Sequence, residues 1–243
     1  MSGHSKWSTI KHKKGALDAK RGKLWTNILK EITVAARMGG GDVASNPRLR
    51  LAVDDAKSAN MPKDNWERAI KKGTGELEGV NYEEITYEGR FPGGVAIIIE
   101  AMTDNKNRTT PEIRSYFTKF NGELGTVGSA TYLYSKQGQI VVDAEVPEDK
   151  VMEVALEAGA DDVKDEGGAW VIQTSPDAYE AVKAAVDAAK LPVIEAKLIM
   201  APSTSVELSP DKVKTFSKFL DLVEDNDDVQ NVWHNADYDE PED

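Results

Sequence analysis

The sequence predicts an α+β multidomain chain: an N-terminal three-helix domain followed by two ferredoxin-like α+β modules, one inserted in the other. Three observations point there. Apolar residues recur at spacings of three and four through the first seventy positions, and a glycine-rich stretch then breaks the pattern. Beyond it, strands and helices alternate in a six-element order that occurs twice. The 243 residues allow one large domain or several small ones, and 40% hydrophobic content can supply their cores.

In the first third, Leu24, Ile28 and Ile32, with Trp25 and Ala35 beside them, form one apolar stripe, and MGGGD at 38–42 ends that helix. A second helix starts at Asn46, a capping residue, with Pro47 at its first position and Leu49, Val53 and Ala56 as its stripe. A third has Pro62 at its first position, Asp64 near the positive end of the dipole, Trp66, Ala69 and Ile70 inward and Gly73 as the stop. GTGELEG at 73–79 reads as a linker.

After the linker the period changes. EEITYEG and GGVAIIIEAM read as strands, the second so apolar that it belongs in a sheet centre. Thr110-Pro111 opens a helix carrying Ile113, Tyr116, Phe117 and Phe120, and ATYLYS at 130–135 alternates as a strand. QIVVDA, PEDKVMEVALEAG, DDVKDE, AWVIQT, SPDAYEAVKAAVDAAK (capped by Ser175) and PVIEAKLIM then make a β-α-β-β-α-β unit, the split βαβ pattern. STSVEL, the helix capped by Ser209 and VQNVWH complete the chain. The pieces at 94–102, 110–121, 130–135, 203–208, 210–224 and 229–234 repeat that order around the unit at 137–202. The predicted domains are therefore 1–78, a discontinuous 79–136 plus 203–243, and the insert 137–202.

Charge is distributed unevenly. The formal net charge is −12, yet eight cationic residues stand among the first thirty positions against Asp18 alone. Residues 1–75 hold sixteen Lys/Arg and seven Asp/Glu, a balance of +9; residues 76–243 hold fourteen and thirty-five, a balance of −21. A cluster so dense repels itself unless an anion lies against it, and such asymmetry points to nucleic acid at the basic end. No run of eighteen apolar residues exists, which excludes a membrane helix, and the start lacks a secretory h-region. Without cysteine there is no disulfide, thiolate zinc site or thiol nucleophile, and a cytoplasmic protein is expected.

GHSKWSTIKHKKGALDAKRGK, EITVAAR, NPRLRLAVDDAKSANMPKDNWERAIKKGTG, YEGRFPGGVAIIIEAMTDNKNRT and GSATYLYSKQG resemble the YebC/PmpR family, known also from mitochondrial translational activators. The resemblance is specific over about residues 2–140 and looser to the C-terminus. It implies a helical N-terminal domain and two α+β domains, one discontinuous. It further implies nucleic-acid binding: members are described as transcriptional regulators that bind DNA, and others act in translation and meet RNA at the ribosome.

The predicted contacts are His4, Lys6, Trp7, Lys11, His12, Lys13, Lys14, Lys20, Arg21 and Lys23, then Arg48, Arg50, Lys63, Arg68, Lys71 and Lys72. The segment before residue 15 has few apolar anchors and reads as a mobile arm that orders on its partner. Trp7, His4 and His12 offer flat faces for stacking, while lysine meets phosphate as a point charge and reads no base through a planar fork. A helix-turn-helix at SANMPKDN is disfavoured, because its turn lacks glycine and Asp64 would face phosphates.

Neither GTGELEG nor FPGGV has the Lys-Ser/Thr of a phosphate loop, and no Ser/His/Asp constellation assembles. His4, His12 and His234 have no ligand spacing, so no metal, no cofactor and no enzyme activity are expected. The expected function is a nucleic-acid-binding regulator, first a DNA-binding transcriptional regulator. The alternative is a ribosome-associated translation factor on ribosomal RNA; a protein-interaction adaptor comes third. No membrane partner is expected, and the oligomeric state is not legible.

Overall fold

The structure, a computed structural model, describes residues 17–238, with side chains from residue 22 onward. The arm predicted for the first residues, with His4, Lys6, Trp7, Lys11, His12, Lys13 and Lys14, lies outside the described residues, as does the end of the acidic tail. Helices α1 (Leu17–Gly39), α2 (Pro47–Ser58) and α3 (Lys63–Gly73) come first. The chain continues through β1 (Glu83–Phe91), β2 (Val95–Thr103), α4 (Lys106–Lys119) and β3 (Glu123–Leu124). Then come β4 (Tyr134–Asp143), α5 (Glu148–Glu157), β5 (Asp162–Asp165), β6 (Ala169–Thr174), α6 (Tyr179–Ala188) and β7 (Val193–Pro202). Last are β8 (Val206–Glu207), α7 (Pro210–Glu224), β9 (Val229–His234) and β10 (Ala236–Asp237). The class is α+β, with a helical region leading into two modules that each carry a sheet.

In the helical region α1 is the centre, packed on both α2 and α3, which scarcely touch each other. A helix-turn-helix needs its two helices packed together, so this arrangement is a different one. Ile28, Ile32, Ala35 and Ala36 meet Leu49, Val53, Ala56 and Ala69 in the core. Leu24, predicted on the same stripe, is exposed, one turn before the covered length begins. Asn46 joins two helix ends. Its Oδ1 accepts from Leu49 N at 3.1 Å and its Nδ2 donates to Ala35 O and Gly40 O, each at 2.9 Å. The third helix starts one residue later than predicted, Pro62 serving as its N-cap. Gly73 ends it where a Cβ would run into Thr33 O and Ala36 Cβ, so only glycine lets α3 close onto α1.

The inserted module has strand order β5-β6-β4-β7 with every neighbour antiparallel, as the split βαβ pattern requires. Ile140, Val142 and Ile172 of its sheet pack on Val151 and Ala155 of α5 and Val182 and Val186 of α6. Ser175 accepts from Ala178 N and shapes the turn before α6, which starts later than predicted, at Tyr179.

The outer module has strand order β3-β1-β2-β9. Two predicted strands are not in this sheet. Residues 131–133 form a 3₁₀ turn, because the amides of Ala130 and Thr131 donate to the Glu88 carboxylate and are lost to any ladder. The 203–208 segment shortens to β8, which pairs in parallel with β10. Short β3 and long β1 take their places. β1 pairs with β2 along all nine of its residues across a tight Pro92-Gly93-Gly94 turn, a closure that costs less chain entropy than reaching residue 203. The sheet is thus a ferredoxin-like order with its third strand moved to the front of the module.

Helix α4 begins at Lys106, one turn before the predicted Thr110-Pro111, because Asn105 Oδ1 accepts from Arg108 N at 3.2 Å. A phenylalanine cluster, Phe91, Phe117, Phe216 and Phe219, fills the space between sheet and helices with edge-to-face contacts. The other face of β2, Ala96 and Ile98, is covered by Leu133, Tyr134, Met200 and Trp233. That explains the unbroken apolar run of β2: both faces are buried. Strands β4 and β7 pair from Tyr134↔Pro202 inward, so the two modules share a continuous ribbon rather than a flexible joint.

Candidate nucleic-acid interface

The sequence-predicted cations of the helical region divide into two sets. One set is turned onto the protein itself. Lys23, Asn27 and Lys30, spaced four and three apart on α1, share one face and meet the loop before β9. Lys23 Nζ donates to Asn226 O at 2.7 Å, Asn27 Nδ2 to Val229 O at 3.2 Å, and Lys30 Nζ to Asp227 O at 2.8 Å and Met102 O at 3.1 Å. Lys30 is buried and pairs with Asp228 at 3.1 Å.

Asp228 is the node of this contact. Its other carboxylate oxygen accepts from Arg108 Nη2 at 2.7 Å, Thr109 Oγ1 at 2.7 Å and Thr103 Oγ1 at 3.0 Å. Burial alone would raise its pKa; Arg108, Thr109 and Lys30 outweigh that and hold the carboxyl down at about 2. The helical region is therefore docked on the outer module through a satisfied buried ion pair.

Two further predicted contacts belong to the same set. Arg48 lies between Glu31, 2.6 Å from Nε, and Glu84, 2.6 Å from Nη2, and their hydrogen bonds push its already high pKa further up. Arg50 Nη2 pairs with Glu180 of α6 at 2.8 Å while Nη1 donates to Ala44 O at 2.9 Å. The anions these arginines meet are the chain's own, Glu31 from the helical region and Glu84 and Glu180 from the acidic part after residue 76.

The second set faces outward from α3. Arg68, Lys71 and Lys72 are exposed and have no ion-pair partner among the described residues. Lys63, also exposed, pairs only with Glu67 on its own helix at 3.3 Å. Local geometry puts them there: Trp66, Ala69 and Ile70 pack on α1 and leave the charged positions outside. Lys20 and Arg21 lie on α1. The structure thus brings together Lys63, Arg68, Lys71 and Lys72 and separates them from Lys23, Arg48 and Arg50.

Beside Arg68 and Lys72 runs an open groove of about 370 Å³ between α1, α3 and the segment at 80–82. Leu29, Val80 and the Tyr82 ring line it, with Asn65 and Arg68 on the α3 side. Lys30 Nζ stands 5.4 Å from the Tyr82 ring centroid. Burial and the Asp104 and Asp228 carboxylates raise the Tyr82 phenol pKa, so the ring is neutral. Arg37 straps this segment by donating to Val80 O at 2.9 Å and Tyr82 O at 3.5 Å. The sequence reading missed Asn65, Tyr82 and Lys30. The spacing of Lys23, Asn27 and Lys30 on one helix face was a signal for the dock, but nothing local marks Tyr82. Among the described residues no group of three or more His, Cys, Asp or Glu could hold a metal ion, and no helix is long and apolar enough to cross a membrane.

Two family models match this architecture in sequence order. Residues 5–76 match the TACO1/YebC protein N-terminal domain, and residues 82–236 match the TACO1/YebC second and third domain. The chain belongs to the TACO1/YebC family. Among its curated TACO1/YebC relatives, a Geobacter sulfurreducens protein named "probable transcriptional regulatory protein" is 57% identical over 98% of this chain and 96% of its own. A Desulfatibacillum aliphaticivorans protein of the same name is 56% identical over the same shares. The crystal structure of a conserved hypothetical protein from Aquifex aeolicus superposes with a TM-score of 0.86 at 44% identity, covering 98% of both chains. The resemblance read from the basic start and the YEGRFPGG region holds for the whole TACO1/YebC architecture.

Proposed function

We propose that this chain is a cytoplasmic regulatory protein that binds nucleic acid through its basic N-terminal region, with no catalytic step. The observation that carries this reading is the outer face of α3, where Arg68, Lys71 and Lys72 lack, among the described residues, the carboxylate partners that Arg48 and Arg50 have found. In sequence the same N-terminal region holds eight Lys/Arg among its first thirty residues. Phosphates supply the missing anion, and the acidic modules repel polyanion elsewhere, so binding is confined to one side.

The first form of this reading is transcriptional, through DNA, in keeping with the names of the relatives. The second is contact with ribosomal RNA in translation. It is favoured by the dominance of lysine, which binds phosphate without reading bases, and by the absence of an α2–α3 helix-turn-helix packing. Replacing Lys11, Lys13 and Lys14 by glutamate is expected to weaken nucleic-acid binding while the melting temperature stays within about a degree, as for exposed substitutions. Equal affinity would refute the reading. Crosslinking in cells, followed by sequencing of the attached nucleic acid, separates promoter DNA from ribosomal RNA.

A further inference from the structure

We infer that the groove between α1 and α3 captures one unpaired nucleotide of a single strand, its base against Tyr82 and its phosphate at Arg68 and Lys72. This rests on the nucleic-acid reading above and narrows it to a substrate class. The lining brings an aromatic ring and apolar side chains, Tyr82, Leu29 and Val80, together with the polar Thr26, Thr33 and Asn65. One wall is cationic, with Arg68 and Lys72 four residues apart on the same face of α3 and unpartnered among the described residues. Lys30 beneath them is neutralised by Asp228, so the charge available to a ligand is that of the rim.

An aromatic ring in a groove edged by cations is the combination that binds single strands, where the base stacks and the backbone is held by charge. Size decides against a duplex. A groove of about 370 Å³ sits at the small end of ligand pockets and fits a base with its sugar-phosphate. A duplex presents its phosphates on a convex cylinder with its bases already stacked, and reaches only the rim. The site is also preformed. Arg37 holds the Val80–Tyr82 segment by two carbonyls, and Lys30 over one face of the Tyr82 ring fixes the ring, so the base is assigned to the opposite face.

The test uses the full chain with fluorescent oligothymidine, oligouridine and a duplex of mixed sequence, titrated over a range of salt. Tyr82→Leu is expected to weaken both single strands on the order of tenfold, the value of one stacking platform, and to leave the duplex within about twofold. Arg68→Ala/Lys72→Ala is expected to lower the single-strand salt slope by about 0.7, the value of the one phosphate the two cations hold. Val80→Glu, at an exposed position, is a second probe in case loss of Tyr82 unsettles the fold; it is expected to repel both single strands. A preference between oligothymidine and oligouridine identifies the source of the strand, and both support the site.

Single-strand affinity unchanged in all three variants, or falling in parallel with duplex affinity in Tyr82→Leu, overturns the groove. If the arm variant loses all nucleic acid while the groove variants bind like the parent, only this inference fails. If the parent binds neither form, the functional reading fails and the groove with it.

Discussion

Arg48 on α2 and Arg68 on α3 lie twenty residues apart in the same small helical region, yet they meet opposite surroundings. Arg48 is clasped by Glu31 and Glu84, and its neighbour Arg50 reaches Glu180 in the inserted module. Arg68 has no ion-pair partner among the described residues and borders an open groove with Lys72. The difference teaches what a count of charges hides. A basic domain joined to acidic modules uses part of its positive charge internally, as a dock, and only the remainder is left for the proposed binding surface. The dock is what orients that remainder: Lys23, Asn27 and Lys30 fix α1 on the 226–229 segment, and α3 is held by α1.

If the inner face of α1 is a dock, its central carboxylate should matter most. Asp228→Asn leaves Lys30 buried beside a neutral amide, and breaking a buried pair costs about 3–5 kcal/mol. A denaturant melt is expected to show that loss, with nucleic-acid affinity measured below the transition unchanged. The pH dependence carries a definite sign. The folded pKa of about 2 lies below the unfolded value of about 3.9, so the contribution of Asp228 is full above about pH 4 and is lost as pH falls through about 2. The stability difference between wild type and Asp228→Asn should therefore narrow across that window. A difference that persists at pH 2 would show that the carboxylate charge is not what holds the dock.

Glu88 sharpens the contrast, because it is a buried carboxylate with no cation. It accepts from Gly128 N at 2.8 Å, Ala130 N at 2.6 Å, Thr131 N at 2.9 Å and Thr131 Oγ1 at 3.0 Å. Burial raises its pKa, and the three amides together with the Thr131 hydroxyl more than reverse that. Glu88→Gln turns an NH₂ toward donors on one side or the other, at a cost of about 1–3 kcal/mol. The expected result is a lower melting temperature with nucleic-acid binding untouched, since neither Glu88 nor the loop it holds lines the groove beside α3. An unchanged melting temperature would mean that the loop closes without the carboxylate.

The three helices and the inserted module were legible because their signals are local. Asn46-Pro47, Gly73 and the three-four spacings act within a turn, and the inserted sheet pairs segments that the split pattern already orders. The outer sheet was not legible in the same way. ATYLYS alternates like a strand, but Glu88, forty residues earlier, takes the amides that would have paired. STSVEL has strand composition, yet β1 had already filled the position beside β2. The site shows the same limit. Lysine and arginine types could be counted, whereas the partners Glu31, Glu84 and Glu180 are seventeen, thirty-six and one hundred and thirty residues away from the cations they meet. Tyr82 became part of a groove because Arg37 ties its segment to the end of α1, beside α3.

The smallest expected effect tests the division most finely. Arg48→Ala removes a half-exposed guanidinium from two carboxylates, and such surface networks contribute about 1 kcal/mol or less. Nucleic-acid affinity and its salt slope should stay where they were, because that charge is already balanced by Glu31 and Glu84. Lys71→Ala does the reverse. It alters no ion pair among the described residues, so the melting temperature is expected to hold, while the salt slope on duplex falls by about 0.9, the value of one neutralised phosphate. The two variants each remove one positive charge from the same domain, so net charge cannot distinguish them. If both reduced the slope equally, internal pairing would have no bearing on which cations meet phosphate. The outward face of α3 would then lose its claim to be the binding surface.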